Sequence, residues 1–118
     1  MRKILIVDDE PAIRKLYQKE FTEDGYNVML AGSGDEALDK VGEDEKIDLV
    51  ILDIKMEEKD GLEVLDVLRK KNRSLPVILN SAYSTYKNDF TSWLADAYLV
   101  KSHDLTELKD KVQELLLV

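Results

Sequence analysis

Short runs of apolar residues recur along the chain, separated by longer segments with helical spacing of apolar positions. The runs are rich in Ile, Val and Leu, which is typical of buried strands. They predict strands over residues 3–7, 27–31, 47–52, 76–79 and 97–100. The segments between them predict helices over residues 11–25, 33–46, 60–72, 84–95 and 104–117. The pattern is therefore a strand followed by a helix, five times in succession.

This alternation indicates a particular arrangement of the sheet. Strands that alternate with helices form a parallel sheet with right-handed crossovers, and uniformly apolar strands are expected where helices cover both faces. The predicted fold class is therefore α/β. In such sheets, ligands bind beyond the carboxyl ends of the strands. Functional residues are expected at that edge.

Capping residues support several of the predicted helix ends. Ser33 with Glu36, and Asp104 with Glu107, have the spacing of a capping box, in which a side chain accepts a hydrogen bond from a free backbone N–H group. Gly25 suits the left-handed position at the end of the first helix. These signals predict where the helices begin and end.

The predicted fourth helix has the weakest pattern, because few of its residues are aliphatic. Phe90, Trp93 and Leu94 carry most of any inward face, and Tyr83 and Tyr86 add to the aromatic character of the region. Two interpretations are open: a surface for a partner protein, or core packing by a helix that has few aliphatic residues.

Composition narrows the class of protein. The 118 residues include 17 Lys and Arg against 25 Asp and Glu, which gives a net charge of −8. This charge disfavours direct nucleic-acid binding and binding to anionic membranes. The absence of cysteine excludes disulfides and thiolate metal sites. No apolar run is long enough for a membrane span or a signal peptide, so we expect a cytoplasmic protein.

Charged and polar residues stand at the predicted strand ends. Asp8 and Asp9 follow the first strand, Asp53 the third, Ser81 the fourth and Lys101 the fifth. Carboxylates about 4 Å apart repel by roughly 4 kcal/mol at an effective dielectric near 20, so the cluster needs neutralising cations. Lys101 supplies one, and Mg²⁺, which prefers oxygen ligands and retains water, is the expected other. Such a site suits phosphoryl transfer to a carboxylate, for which we select Asp53.

Together with these residues, the rest of the sequence resembles the CheY-like receiver domain of bacterial two-component response regulators over nearly its whole length. Several motifs carry the resemblance together: residues 3–10 (KILIVDDE), residues 52–56 (LDIKM), Asp60-Gly61, Ser81-Ala82 and residues 98–101 (YLVK). The resemblance implies a flavodoxin-like (βα)5 fold with strand order 2-1-3-4-5. It also implies a phosphoacceptor signalling domain rather than an enzyme.

The family pattern assigns roles to the site residues. It implies that Asp53 takes a phosphoryl group from a sensor histidine kinase or a phosphotransfer protein, assisted by Lys101 and Ser81. It implies Mg²⁺ as the cofactor, bound by Asp8, Asp9, Asp53 and the backbone carbonyl of Lys55.

The family pattern also implies a conformational switch. Ser81 and Tyr98 are the expected switch residues, and the responding surface is formed by the fourth helix, fifth strand and fifth helix. Half-burial of an ordinary strand aromatic is the simpler interpretation of Tyr98. Lys55 and Tyr83 lie where the family tunes hydrolysis of the acyl phosphate.

Two residues depart from the family pattern. Glu57 stands where a proline is common, and Ser102 follows Lys101 where a proline often forms a cis bond. A cis bond before a residue other than proline costs about 2.5 to 4 kcal/mol, so we predict a trans Lys101–Ser102 bond and a rearranged loop.

We expect residues 1–118 to form one receiver domain without an output domain, which signals to an unknown partner as a monomer or a phosphorylation-dependent dimer. Two alternatives are a pseudo-receiver that acts by binding alone and an aspartyl-phosphate phosphohydrolase of the haloacid dehalogenase type. The phosphohydrolase family has an Asp-x-Asp pattern after its first strand, where this chain has Asp8-Asp9-Glu10. A flavin site is disfavoured because the first loop lacks a glycine- and hydroxyl-rich phosphate cradle.

Overall fold

The computed structural model describes residues 1–44 and 46–117. Within this part of the chain, five strands form one parallel sheet in the order β2-β1-β3-β4-β5. The strands are β1 (Lys3–Val7), β2 (Asn27–Ala31), β3 (Leu49–Leu52), β4 (Val77–Ser81) and β5 (Ala97–Val100). The predicted fold class and strand order are confirmed.

Among the same described residues, four α-helices cover the sheet: α1 (Pro11–Glu23), α2 (Gly34–Glu43), α3 (Gly61–Lys71) and α4 (Thr106–Leu116). Alternate strand residues point to opposite faces, which divides the core in two. Leu5 and Val7 face the layer that contains Leu65 of α3. Ile4 and Ile6 face the other layer, which contains Tyr17 and Phe21 of α1 and Leu108 and Val112 of α4.

The predicted fourth helix is wrong. Residues 84–95 form two short 3₁₀ turns, η1 (Thr85–Asn88) and η2 (Phe90–Leu94), separated by Asp89. Phe90 and Trp93 are exposed, so the segment has no continuous apolar face to pack on the sheet. Asp89 also accepts a hydrogen bond from the Thr91 N–H, which begins a new turn.

Two of the predicted helix caps are confirmed and one is wrong. Ser33 Oγ accepts a hydrogen bond from the Glu36 N–H at 3.1 Å, and Gly25 has a φ of +96°, as predicted. The Asp104–Glu107 capping box is wrong, because Asp104 Oδ1 instead accepts from the backbone and hydroxyl of Thr106. Helix α4 therefore begins later than predicted.

Other boundaries differ by a few residues. Strand β4 extends through Ser81, two residues beyond its predicted end, while β3 begins at Leu49. Helix α2 ends at Glu43, and Glu45, part of the predicted second helix, lies outside the described residues. Across the described ranges, no helix combines the length and apolarity that crossing a membrane requires.

Gly61 allows the loop between β3 and α3 to close tightly. Its N–H donates to the Ile54 carbonyl at 2.6 Å. A Cβ atom at Gly61 would lie only 2.0 Å from the backbone oxygen of Asp53. The loop that follows Asp53 therefore folds back on the end of β3. Only glycine fits at position 61, because any other residue would place a Cβ atom against the Asp53 backbone.

Candidate functional site

The carboxyl edge of the sheet brings together an ammonium group and two buried carboxylates. Lys101, after β5, places its Nζ atom 2.7 Å from Asp8 Oδ2 and 3.3 Å from Asp53 Oδ2. Asp8 directly follows β1, and Asp53 directly follows β3. These strands are neighbours in the sheet, so Asp8 and Asp53, which are 45 positions apart in sequence, both contact the Lys101 ammonium group. The predicted convergence of these side chains is observed.

A third carboxylate completes an acidic cluster. One oxygen atom from each of Asp8, Asp9 and Asp53 lies within 4.8 Å of the others. Asp8 and Asp53 are buried, whereas Asp9 is half-buried. Carboxylate oxygens are hard ligands, and one ammonium group cannot balance three of them. The donor set therefore fits a metal ion of the hard, divalent kind.

Backbone groups hold the buried carboxylates in place. Asp8 Oδ1 accepts a hydrogen bond from the Glu10 N–H at 3.0 Å. Asp53 Oδ1 accepts from the Ile54 N–H at 2.9 Å. Because each of these two carboxylates is fixed through one oxygen, the second oxygen is directed toward Lys101.

The environment shifts the pKa of both Asp53 and Lys101. Burial, and then repulsion from Asp8, raise the pKa of Asp53 to about 6, although Lys101 and the Ile54 N–H oppose the rise. Burial lowers the pKa of Lys101, but its hydrogen bonds and attraction to Asp8 and Asp53 outweigh burial, and the net shift is upward. At neutral pH, the site therefore holds an ionised lysine and a mainly ionised Asp53.

Ser81 and Tyr98 are connected through the backbone of Tyr83. The fully buried Ser81 accepts a hydrogen bond at Oγ from the Tyr83 N–H, at 3.1 Å. The Tyr98 hydroxyl donates to the Tyr83 carbonyl at 2.6 Å. Tyr98 is half-buried, and its pKa is raised mainly by burial. The peptide groups of one residue thus join the end of β4 to the aromatic ring on β5.

Lys55 and Tyr83 meet above the carboxyl edge from two different loops. Lys55 Nζ lies 5.7 Å from the centroid of the Tyr83 ring, within the range of a cation–π contact. This contact joins the loop after β3 to the loop after β4. Both residues are exposed, so the contact is at the solvent boundary of the site.

Lys101 lies directly after β5, although Ser102 and not proline follows it. No peptide bond between described residues is cis, which confirms the predicted trans Lys101–Ser102 bond. The Lys101 N–H donates to the Ser81 carbonyl at 2.7 Å, in register with the β4–β5 pairing. Lys101 is therefore positioned by the sheet.

Arg14 is a site residue that sequence reasoning missed. Its Nη1 atom donates to the backbone carbonyl of Asp8 at 2.7 Å. A Cβ atom at Gly32 would lie 3.1 Å from the same Nη1, so the glycine leaves space for the guanidinium. The signal was the position of Arg14 one turn into α1, after an acidic strand end, together with a glycine directly after β2.

Comparison with known proteins agrees with this architecture. The sequence model of the response regulator receiver domain matches residues 4–113. The chain is 36% identical over 120 residues to the alkaline phosphatase synthesis transcriptional regulatory protein PhoP of Bacillus subtilis, covering 98% of this chain and 48% of PhoP. It is 37% identical to response regulator MprA of Mycolicibacterium vanbaalenii, covering 97% and 50%. The chain thus spans about half the length of these curated relatives.

Solved structures give the same result. Response regulator TrrA from Thermotoga maritima, in complex with Mg²⁺-BeF, is 50% identical and superposes with a TM-score of 0.95, covering 98% of this chain and 100% of that one. TrrA in complex with the histidine kinase ThkA superposes with a TM-score of 0.92 at 50% identity, covering 98% and 99%. The fold is that of an α/β receiver domain, with an acidic cluster at the carboxyl edge of its sheet. The chain belongs to the response regulator receiver domain family of two-component systems.

Proposed function

We propose that Asp53 accepts a phosphoryl group from a phosphohistidine of a sensor histidine kinase or phosphotransfer protein. The observation that carries this proposal is the buried Asp53 carboxylate, which has Lys101 at 3.3 Å and two further carboxylates within 4.8 Å. Three carboxylates this close together repel one another, which destabilises the folded state. A site that receives a charged group and a cation accounts for the arrangement.

In the proposed transfer, an oxygen of the Asp53 carboxylate attacks the phosphorus atom. A P–O bond forms while the P–N bond to the donor imidazole breaks, and the imidazole nitrogen keeps the electron pair of that bond. The attacking oxygen must be ionised, which the Asp53 pKa of about 6 permits at neutral pH. Lys101 and Ser81 then pair with phosphoryl oxygens, which stabilises the charge that they carry.

We assign the cofactor as Mg²⁺, held by Asp8, Asp9, Asp53 and the backbone carbonyl of Lys55. When bound, this cation neutralises phosphoryl oxygens and orients them for in-line transfer. Support comes from the oxygen-only donor set and from the similar TrrA structure, which is a complex with Mg²⁺-BeF. The complex of TrrA with ThkA supports a histidine kinase as the phosphodonor partner.

We propose that Ser81 transmits the chemical change to the surface. In this structure, its Oγ atom accepts a hydrogen bond from the Tyr83 N–H, and the Tyr83 carbonyl accepts one from the Tyr98 hydroxyl. If the Ser81 side chain rotates to donate to a phosphoryl oxygen, the backbone of Tyr83 loses its hydrogen bond to Ser81 and keeps the one from Tyr98. The Tyr98 ring is then released to change position, which alters the surface formed by η1, η2, β5 and α4. An output protein that reads this surface would complete the signal.

The test is the intact mass of the protein after incubation with acetyl phosphate, with and without Mg²⁺. We expect one phosphoryl adduct on the wild type with Mg²⁺, and none on Asp53→Asn or with excess chelator. An adduct on Asp53→Asn would place the acceptor elsewhere. No adduct on the wild type, even in the cold where hydrolysis is slow, would favour a pseudo-receiver that acts by binding. Continuous phosphate release without an adduct would favour a phosphohydrolase.

A further inference from the structure

The turn η2 exposes a pair of aromatic side chains that the proposed phosphorylation does not use. Phe90 is 78% exposed and Trp93 is 65% exposed. Their rings pack edge to face with centroids 4.9 Å apart. Tryptophan is enriched among the residues that contribute most of the binding energy at protein interfaces.

The Trp93 ring is exposed yet held in one orientation. Its indole Nε1–H donates to the Lys87 carbonyl at 2.9 Å, and the edge-to-face contact with Phe90 holds another side of the ring. A side chain that is already ordered loses little conformational entropy when a partner covers it. The exposed ring is thus arranged as an anchor for binding.

Trp93 forms one wall of a groove between η2 and the end of α3. We call it the Trp93 groove; it has a volume of about 630 Å³ and is lined by Asp66, Arg69, Lys70, Arg73, Trp93 and Leu94. Arg69 joins the two walls, because its guanidinium donates to the Leu94 carbonyl and to Asp96, each at 2.7 Å. These hydrogen bonds therefore fix the position of η2 relative to α3.

The charge of the groove is opposite to that of the whole chain. Lys70 and Arg73 flank the apolar wall, and both are exposed. Lys70 forms an exposed i,i+4 ion pair with Asp66 at 3.2 Å, an arrangement that contributes little to stability. The protein as a whole has a net charge of −8, so an acidic partner is repelled by most of its surface. This basic, aromatic groove is a surface that attracts such a partner.

We propose that the Trp93 groove binds an acidic segment of another protein that carries a large apolar side chain. The apolar side chain packs on Trp93 and Leu94, and the acidic groups lie beside Lys70 and Arg73. This binding does not use Asp53, and it occurs at a surface that includes α3. Because Trp93 and Leu94 belong to η2, the Trp93 groove shares η2 with the proposed switch surface and extends that surface to α3.

The experiment uses Trp93 as its own probe, because it is the only tryptophan in the sequence. The ligand is a tryptophan-free peptide in which Glu-Glu pairs alternate with Leu-Phe pairs. We expect a saturable blue shift of the emission, since the ring becomes shielded from water. We expect no shift with a peptide that has Lys in place of Glu, or one that has Gly-Ser in place of Leu-Phe. Equal responses to the acidic and basic peptides would overturn the charge argument.

Variants test the location of the binding site. Arg73→Glu is expected to weaken binding of the acidic peptide by about tenfold, and raised salt to weaken it for the wild type. Lys15→Glu makes the same charge change on the exposed side of α1 and is the matched control. Thermal unfolding confirms that each variant is folded. Equal loss of affinity in both variants, or none in Arg73→Glu, would refute the proposed site.

A second copy of the chain is the competing occupant of the groove. We expect the emission maximum of the protein alone to be independent of its concentration. A blue shift as the protein is concentrated, accompanied by dimer formation in sedimentation, would show that another copy covers Trp93. That result, or the absence of any shift with the acidic peptide, would overturn the proposal. Neither readout requires phosphorylation, so failure here is distinguishable from failure of the Asp53 assignment.

Discussion

The ammonium group of Lys101 lies closer to Asp8, at 2.7 Å, than to Asp53, at 3.3 Å. Lys101 is thus shared between a proposed metal ligand and the proposed phosphoacceptor. A cation held by Asp8, Asp9 and Asp53 would compete with Lys101 for Asp8, and the ammonium group would then be available to groups on Asp53. Binding of such a cation and the position of Lys101 would therefore be coupled through the Asp8 carboxylate.

The raised pKa of Asp53 predicts a pH-dependent effect of removing its charge. Its pKa is about 6 in the folded protein, against an ordinary value of 3.8, so the folded state binds the proton more tightly. The folding free energy therefore becomes less favourable as pH rises from about 4 to about 6. Without divalent cations, Asp53→Asn should be more stable than the wild type by roughly 1 to 3 kcal/mol at pH 7.

Urea unfolding in the presence of chelator, at several pH values, checks this prediction. The difference between Asp53→Asn and the wild type should shrink as the pH approaches 4. Added Mg²⁺ should stabilise the wild type and have a smaller effect on Asp53→Asn, because ligand binding stabilises only the state that binds. A difference that is constant with pH would contradict the electrostatic explanation.

The contact between Arg14 and Asp8 predicts a positioning effect on metal binding. Gly32→Val should displace the guanidinium from the Asp8 carbonyl, because even a Cβ atom at this position lies 3.1 Å from Nη1. This variant keeps the charge of Arg14. We expect its affinity for Mg²⁺ to fall several-fold in calorimetric titrations, with Arg14→Met behaving similarly.

The sign of this effect separates position from charge. If Arg14 acted only as a nearby positive charge, Arg14→Met would increase the affinity for Mg²⁺ and Gly32→Val would leave it unchanged. Lys15→Met, at the neighbouring exposed position on α1, is the control for loss of a positive charge.

Replacing Gly61 with alanine tests the tight loop after Asp53, and the same replacement at Gly42 is the matched control. Gly61→Ala should lower the free energy of unfolding by about 3 kcal/mol or more and prevent phosphorylation, because its Cβ would lie 2.0 Å from the Asp53 backbone oxygen. Gly42→Ala lies within α2, with no atom within 4 Å of the new Cβ, and should stabilise the protein by about 0.5 to 1 kcal/mol. Chemical unfolding measures both, and equal effects would contradict the close approach at Gly61.

Arg69 should be the residue on which the position of η2 depends. Its side chain is 12% exposed and donates to the Leu94 carbonyl, the Leu75 carbonyl and Asp96. We expect Arg69→Met to destabilise the protein by about 1 to 3 kcal/mol, since several acceptors lose a charged donor. Lys70→Met, exposed on the same helix, should change stability by less than about 0.5 kcal/mol. Hydrogen exchange should show faster opening of η2 only in Arg69→Met.

Much of the architecture was predictable from the sequence because its signals are local. The uniformly apolar runs of β1 and β3 identify buried strands, and the polar residues that follow them identify the edge where a site forms. Since parallel strands end at one edge, Asp8, Asp53 and Lys101 had to converge once the order of strands was known. The family resemblance supplied that order, which periodicity alone does not determine.

Tertiary contacts decided the remaining features. Residues 84–95, the predicted helix with the weakest pattern, form η1 and η2: Phe90 and Trp93 are exposed, and Arg69 binds the end of η2. The bond from Arg14 to Asp8 depends on the space left at Gly32, which lies on another loop. Local sequence determines propensity and the side of an element that is buried. Contacts between distant segments depend on side-chain positions that exist only after the chain has folded, and these contacts determine the final geometry.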